Sequence, residues 1–168
     1  MNEVLKEKDN LINNMNSLIL GTTDSKKIPN SSYAPFGIDE NNNFYIFISE
    51  LSKHTKNIMS NQDVSIMIIE DESNSQTIFA RKRLTITGKA SKIDRTSEEW
   101  HEKINILENK FDETFTFLKN MEDFHLFKIS PISGLLVYGF GKAFNLEGPE
   151  LVNVIHLNEK GHRTQKEK

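Results

Sequence analysis

Apolar residues alternate with polar ones, or run together, in several short segments that predict β-strands. The first is Ser17-Leu-Ile-Leu-Gly-Thr-Thr23, and aromatic and β-branched residues dominate the segment at 44–49. Residues 64–69 form an apolar run that we expect to be buried on both faces, and residues 83–93 alternate over a longer stretch in which Gly88 indicates a bulge. Further strands are predicted at 31–36, 124–129 and 134–138.

Helical spacing of apolar residues appears in three places. Residues 3–16 predict an amphipathic first helix, and Ser52 is a candidate N-cap for a short helix at 53–60. Thr96-Ser-Glu-Glu99 matches a capping box that would begin a long helix at 97–119. The apolar stripe of that helix is expected to face the core, and it consists of Trp100, Ile104, Leu107, Phe111, Phe115 and Leu118. Six or seven strands with flanking helices favour an antiparallel β-barrel.

Composition limits the class of protein. The chain has 168 residues, which suits one domain with a substantial core, and 36% of its residues are hydrophobic and 27% charged. We predict a single domain over residues 1–157 and a polar C-terminal tail over 158–168. The absence of cysteine excludes disulfides, iron–sulfur clusters and cysteine nucleophiles.

The net charge and the hydropathy of the chain narrow the classes of partner that we expect it to bind. The net charge of −3 argues against nucleic-acid binding by bulk charge, because phosphate affinity needs a basic field. The N-terminus lacks the apolar core of a signal peptide, and no apolar run approaches the length that a membrane span needs. We therefore expect a cytoplasmic protein that binds neither nucleic acid nor a membrane.

Two arginines are the first candidate binding residues. Arg81 and Arg83 are two residues apart, so on an extended segment they project from the same face, while Lys82 projects from the other. Neighbouring guanidinium groups repel each other, and an anionic carboxylate or phosphate between them relieves the repulsion. A solvated loop rim is the alternative that the spacing alone leaves open.

A polar cluster and two late histidines are further candidates. Ser49, Ser52 and Lys53 lie between a strand and the start of a helix, where free amides and hydroxyls can bind an anion or serve only as caps. The spacing of His156 and His162 matches no short zinc motif, so composition alone gives these two residues no role.

Six segments together resemble a known family. They are Tyr33-Ala-Pro-Phe36, Tyr45–Thr55, Val64–Glu72, Phe79-Ala-Arg-Lys-Arg-Leu-Thr-Ile-Thr-Gly88, Met121-Glu-Asp-Phe-His-Leu-Phe-Lys128 and Tyr138-Gly-Phe-Gly-Lys-Ala-Phe144. This series resembles the pyridoxamine-phosphate-oxidase-like, FMN-binding split-barrel superfamily, and within it the haem-utilisation (HugZ/HutZ type) branch. The resemblance covers residues 8–162 and implies a homodimeric split barrel with cofactor sites at the subunit interface.

The resemblance to the haem-utilisation branch implies roles for individual residues. His162 would be the axial ligand of haem iron, with His156 as second choice, and Asp123 would hydrogen-bond the ligating imidazole. Arg81 or Arg83 would contact an iron-bound ligand or a haem propionate. Phe140 or Phe144 would form a wall of the haem site. The implied activity is oxidative haem degradation for iron acquisition, with haem and O₂ as reactants and an external electron donor.

Two other functions remain open at this point. The same fold serves FMN-dependent oxidoreductases of the pyridoxamine-phosphate-oxidase type, in which the arginine pair and the Ser49–Thr55 cluster would hold the FMN phosphate. A non-catalytic haem carrier or storage protein would need the same iron ligand as an oxygenase. The sequence does not separate these functions.

Overall fold

The first half of the chain alternates strands with two helices. The structure is a computed structural model, and it describes residues 2–157. Helix α1 spans Asn2–Asn14 and helix α2 spans Lys53–Ser60. The strands of this half are β1 (Ser17–Thr23), β2 (Pro29–Pro35), β3 (Gly37–Ile38), β4 (Phe44–Ser49) and β5 (Asp63–Ile69).

The second half adds a helical pair between two long strands. Short 3₁₀ turns at Glu72–Asn74 and Ile78–Ala80 precede the first of these strands. The remaining elements are β6 (Arg83–Lys92), α3 (Glu98–Lys110), α4 (Glu113–Lys119), β7 (Phe124–Val137), β8 (Ala143–Glu147) and β9 (Asn153–His156). No helix in this part of the chain has the length and apolar character required to cross a membrane.

All strands join one curled antiparallel sheet. The order of strands is β2-β1-β5-β6-β7-β4-β3, and β8 continues from β7 to β9. Strand β7 pairs with β6 along its length, with β4 through its first half and with β8 through its second half. The sheet therefore divides at the middle of β7, and the first and second halves of that strand lie in different surroundings.

Two hydrophobic cores hold this sheet. The alternating pattern of β1, β5 and β6 turns Leu20, Ile66 and Ile86 inward, where α1 and α2 pack inside the curl. A second core lies between α3, α4 and the other face of β4 and β7. Strand β4 serves both cores and is buried on both faces, which explains its continuous apolar sequence.

The predicted bulge at Gly88 is confirmed. The register of β6 against β7 shifts between Thr87 and Gly88. A Cβ at Gly88 would lie 2.7 Å from the backbone oxygen of Ser130, so only glycine fits this close approach. Pro131 lies opposite Gly88, and the bulge there allows one strand to continue through the proline. The prediction of two separate strands at 124–129 and 134–138 was therefore wrong.

The long predicted helix at 97–119 is also corrected. Phe111 adopts an extended backbone conformation, and the side chain of Asp112 then accepts a hydrogen bond from the amide of Thr114, which begins α4. The N-cap of α3 is Ser97, which accepts from Trp100 N at 3.1 Å, and not Thr96. Thr96 instead donates to Asp94. The expected core positions Trp100, Ile104, Leu107 and Phe115 are buried.

Candidate functional site

Arg83 lies at the first position of β6, opposite Ile69 on one side and Val137 on the other. Its terminal nitrogen Nη1 donates to the backbone oxygen of Arg81 at 3.0 Å. No carboxylate within residues 2–157 pairs with this guanidinium. The remaining N–H groups therefore keep donor capacity for a carboxylate or a phosphate.

The guanidinium of Arg81 is engaged in hydrogen bonds within its own loop. It follows the second 3₁₀ turn and donates through Nη1 to Glu72 at 3.1 Å and through Nη2 to the backbone oxygen of Glu70. Its Nε is buried without a partner among the described residues. Lys82 forms an ion pair with Glu7 of α1 at 2.6 Å. Of the three basic residues, Arg83 has the most unused donor capacity.

Asp123 and Ser49 meet at the far end of β7. Ser49 Oγ donates to Asp123 Oδ2 at 2.8 Å, and the backbone oxygen of Asp123 accepts from Glu50 N at 2.8 Å. The pairing of β4 with β7 creates this contact, because it places Ser49 opposite Phe124. Oδ1 of Asp123 has no partner in the described part of the chain, and it can accept a further hydrogen bond.

The polar cluster after β4 forms a turn that leads into α2. Ser52 N donates to Ser49 O at 3.1 Å, and Thr55 Oγ1 donates to the same oxygen at 2.6 Å. Ser52 is the N-cap residue of α2, although its side chain makes no capping hydrogen bond within the described residues. Lys53 is exposed. The N-terminal end of α2, the hydroxyl groups of this turn and the ammonium group of Lys53 can together hold an anion.

His54 follows Lys53 in this cluster and is half-buried. Ser32 Oγ donates to Leu20 O at 3.2 Å and lies 3.0 Å from His54 Nδ1, so Nδ1 carries the proton and donates to Ser32. Nε2 is then the lone-pair nitrogen, and it is buried without a partner among the described residues. Burial lowers the pKa of His54 below its usual value.

Three stacked rings lie at the C-terminal end of the described chain. Tyr138 stacks on Phe144 with 5.4 Å between ring centroids, and Phe144 stacks on His156 at 4.5 Å. His156 Nε2 lies 2.9 Å from the backbone oxygen of Gly141. Phe140 is exposed on the turn between β7 and β8. His162, the predicted iron ligand, lies outside the described residues.

The structure separates the predicted site residues into two groups within one chain. Val137, the neighbour of Arg83, and Phe124, the neighbour of Ser49, are at opposite ends of β7. These two residues are the ends of a strand of 14 residues, and the thirteen steps between them correspond to about 40 Å of path. Ser49, Ser52, Lys53 and Asp123 therefore lie at one end of β7. Arg81, Arg83, Phe140 and His156 lie toward the other end, with Arg83 and His156 on opposite faces of the sheet.

Sequence reasoning missed two arrangements at these ends of β7. His125 Nε2 lies 2.9 Å from Glu50 Oε2, beside the Asp123–Ser49 contact. The Tyr138–Phe144–His156 stack was missed as well. Both depend on the register between strands that are distant in the sequence, and no local motif signals them.

Comparison with known proteins gives a consistent result. The family model for pyridoxamine 5'-phosphate oxidase matches residues 4–138. Heme oxygenase HutZ from Vibrio cholerae serotype O1 (strain ATCC 39315 / El Tor Inaba N16961) is 42% identical over 147 residues, which are 88% of this chain and 82% of that protein.

Solved structures agree with this match. A crystal structure of Vibrio cholerae HutZ, described as a heme storage protein, aligns with a TM-score of 0.76 at 35% identity over 80% of this chain and 94% of that one. The crystal structure of Campylobacter jejuni ChuZ aligns with a TM-score of 0.87 at 32% identity over 99% of this chain and 67% of that one. The predicted split-barrel fold is confirmed.

Proposed function

The chain belongs to the pyridoxamine 5'-phosphate oxidase family, in its haem-utilisation branch, and on that basis we propose that it binds haem and degrades it oxidatively to release iron. The observation that carries the proposal is the 42% identity to a heme oxygenase over 88% of the chain. The geometry of the candidate residues supports it, as the following paragraphs describe.

The donor set at the Arg83 end fits haem. A propionate is a carboxylate, and the unused N–H groups of Arg83 suit a carboxylate better than the committed guanidinium of Arg81 does. Two exposed apolar side chains lie toward the same end of β7, Phe140 on the turn between β7 and β8 and Leu157 just after β9, and they can contact an apolar macrocycle. Arg83 therefore contributes charge and orientation at this site.

The iron ligand is assigned to His162. The assignment follows the resemblance to the haem-utilisation branch. In three of the four described histidines one ring nitrogen takes part in a hydrogen bond, with Ser32 for His54, with Glu50 for His125 and with Gly141 for His156, and the second nitrogen of His54 is buried. The fourth, His101, is on α3 beside Trp100. His162 carries the ligating nitrogen in this proposal, and Asp123 Oδ1 accepts from the other nitrogen of that imidazole, which fixes the ring.

A homodimer brings the two groups of residues together. Asp123 and Arg83 are separated along β7 within a chain, so a site that contains both takes one from each of two copies. The sheet face between them is uncovered by helices within residues 2–157 and carries apolar side chains beside polar ones. Its side chains form one row across successive strands, namely Tyr33, Ile19, Met67, Thr85, Leu135, Asn145 and Ile155. A second copy would cover this row.

Bound haem would supply the iron chemistry that activates O₂ with electrons from an external donor. The residues of the chain hold and orient the haem through His162 and Arg83, and Asp123 keeps the imidazole aligned. Arg83 would also place a positive charge in the site, where it would stabilise anionic groups.

The fate of the Soret band tests the catalytic part of the proposal. A reductant and O₂ are added to the hemin complex. An oxygenase loses the Soret band progressively and releases iron to a chelator, whereas a carrier or storage protein retains the band. A Soret band that persists while haem stays bound would reject the proposed haem degradation and would still support haem binding.

FMN is the second candidate cofactor. The start of α2 with Ser52 and Lys53, and the free donors of Arg83, also suit a phosphate. A protein that is yellow after purification and releases FMN on denaturation would support this function. A colourless protein that takes up hemin at a 1:1 ratio would support haem.

A further inference from the structure

His156 occupies the end of a row of core-facing side chains. The register of β5, β6, β7, β8 and β9 places five residues directly opposite one another across the sheet, namely Ile68, Leu84, Leu136, Phe144 and His156. The first three are fully buried. Directly opposed residues of antiparallel strands share a face, so the imidazole lies on the core side of the sheet.

Arg83 projects from the other face. It shares a row with Ile69, Val137 and Ala143, and successive residues of a strand alternate between faces. The imidazole of His156 and the guanidinium of Arg83 of one chain therefore lie on opposite sides of the sheet. A haem contacted by Arg83 is consequently separated from His156 of the same chain by the sheet itself.

The Nε2 atom of His156 is also engaged. A backbone oxygen only accepts, so the contact of 2.9 Å with Gly141 requires a proton on Nε2. A nitrogen that carries a proton has no lone pair for a metal. Ligation through Nε2 would break both this hydrogen bond and the stack on Phe144.

We propose that His156 is a positioning residue that fixes the end of β9, and through it the starting point of the segment that carries His162. The inference rests on the proposed haem function for its purpose. Three contacts hold this end of the chain: the His156–Gly141 hydrogen bond, the Phe144–His156 stack, and the hydrogen bond of 2.8 Å from Leu157 N to Ala143 O.

The number of residues between the anchored end of β9 and His162, the proposed iron ligand, determines how much the loss of the anchor weakens haem binding. Five residues lead from Leu157 to His162, a reach of at most about 18 Å. If β9 separates from β8, the last anchored residue is the buried Leu151, and eleven residues lead to His162. Effective concentration falls roughly as the −3/2 power of this length, so the loss of the anchor weakens haem binding about threefold.

Three variants separate the two contacts of the imidazole. His156→Ala removes both, His156→Phe keeps a stacking ring without the hydrogen bond, and His156→Gln keeps a donor without the ring. His101→Ala is the matched control, because His101 is an exposed histidine on α3. The readouts are amide exchange of Leu157 in the apo-protein, the hemin Kd, and the electron paramagnetic resonance signal that reports the axial ligand.

His156→Ala is expected to speed the exchange of the Leu157 amide and to raise the hemin Kd about threefold, with the histidine ligand signal intact. His156→Phe and His156→Gln each restore part of both effects, and His101→Ala changes neither. His162→Ala loses the histidine ligand signal while Leu157 exchange stays at the wild-type rate.

Two results overturn the inference. One is a His156→Ala protein with wild-type exchange and wild-type hemin Kd. The other is a loss of the histidine signal in His156→Ala together with its retention in His162→Ala, which would make His156 the ligand. A wild-type protein that leaves the hemin spectrum unchanged is a different outcome, since it rejects the proposed function together with the purpose assigned to the anchor.

Discussion

At the scale of single residues, the unused donors of Arg83 distinguish it from Arg81. Both arginines are next to the same loop, yet Arg81 spends its terminal nitrogens on Glu70 and Glu72. Arg83 gives one hydrogen bond to the backbone and keeps the rest. The two-residue spacing predicted an anion site at both arginines. Their contacts differ, because Arg81 is hydrogen-bonded within its loop and Arg83 retains unused donors.

Arg83→Ala is expected to weaken hemin binding by about 10- to 100-fold, because a hydrogen bond to a charged group contributes about 1.5–3 kcal/mol. Arg81→Ala is expected to lower the free energy of unfolding by about 1–2 kcal/mol through the loss of its loop contacts and to leave the hemin Kd nearly unchanged. Soret titration and urea unfolding measure the two quantities. The reverse assignment of effects would make Arg81 the binding residue.

His54 makes stability depend on pH. Burial lowers the pKa of His54 in the folded protein, so the unfolded chain binds a proton first as the pH falls. The stabilising contribution is fully present above about pH 6.5, the pKa of an unperturbed histidine, and is lost as the pH falls through the lower folded value. The slope is at most about 1.4 kcal/mol per pH unit.

The His54→Asn variant isolates this contribution, because an amide can still donate to Ser32 without titrating. Urea unfolding of both proteins at pH 7.5, 6.5 and 5.5 measures the difference in the free energy of unfolding. We expect the wild type to lose more stability than the variant on acidification. A parallel decline of both proteins would show that His54 carries no pH dependence.

At the scale of elements, the bulge where β6 meets Pro131 shapes the long strand β7. Gly88→Ala places a Cβ 2.7 Å from a backbone oxygen that cannot move aside alone, and overpacking of this kind costs about 1–3 kcal/mol. Gly134→Ala is the matched control in the same ladder, because its Cβ would meet its neighbours at 3.5 Å. Thermal unfolding compares the two, and an equal Tm for both variants would contradict the steric explanation.

Sequence pattern predicted the elements wherever the signal is local. Alternation in β6 and the apolar run of β5 gave these strands nearly their observed bounds. The predicted helix at 97–119 failed at Phe111, because apolar spacing continues through a break that the side chain of Asp112 creates. Pro131 suggested a strand end, and only its distant partner Gly88 explains why β7 continues.

The features of the candidate site likewise divide into those that a local sequence signal predicts and those that depend on the pairing of distant strands. The prediction of an anion site at Arg81 and Arg83 follows from two-residue spacing, which is local. The contact of Ser49 with Asp123 and the stacking of His156 on Phe144 depend on strand register. Resemblance to a family supplied Asp123 as a candidate, and the sequence alone gave no physical reason for its contact with Ser49.

At the scale of the whole molecule, the uncovered sheet face is expected to join two copies. Ile19 is 38% exposed and Tyr33 is 68% exposed in the single chain, and they lie side by side in the row described above. Stable interfaces bury about 800 Å² per partner, and an uncovered sheet face with exposed apolar side chains offers a surface of this kind. The dimer would also unite Asp123 of one copy with Arg83 of the other.

Ile19→Glu places a charge in this face and is expected to give a monomer with weakened hemin binding. Ile28→Glu is the control, since Ile28 is also exposed but lies in the connection between β1 and β2. Sedimentation velocity measures the mass against the 19.4 kDa of one chain. A wild-type protein that is a monomer and still binds hemin tightly would contradict a site that is shared between two copies.

The absorption spectrum of the purified protein with one equivalent of hemin is the most direct measurement of cofactor identity. A haem-binding chain with an imidazole ligand from His162 shifts the Soret band at a 1:1 ratio, and His162→Ala alters that shift while His101→Ala does not. A Soret band that stays at the position of free hemin, in a protein that retains FMN through purification, would contradict the haem assignment.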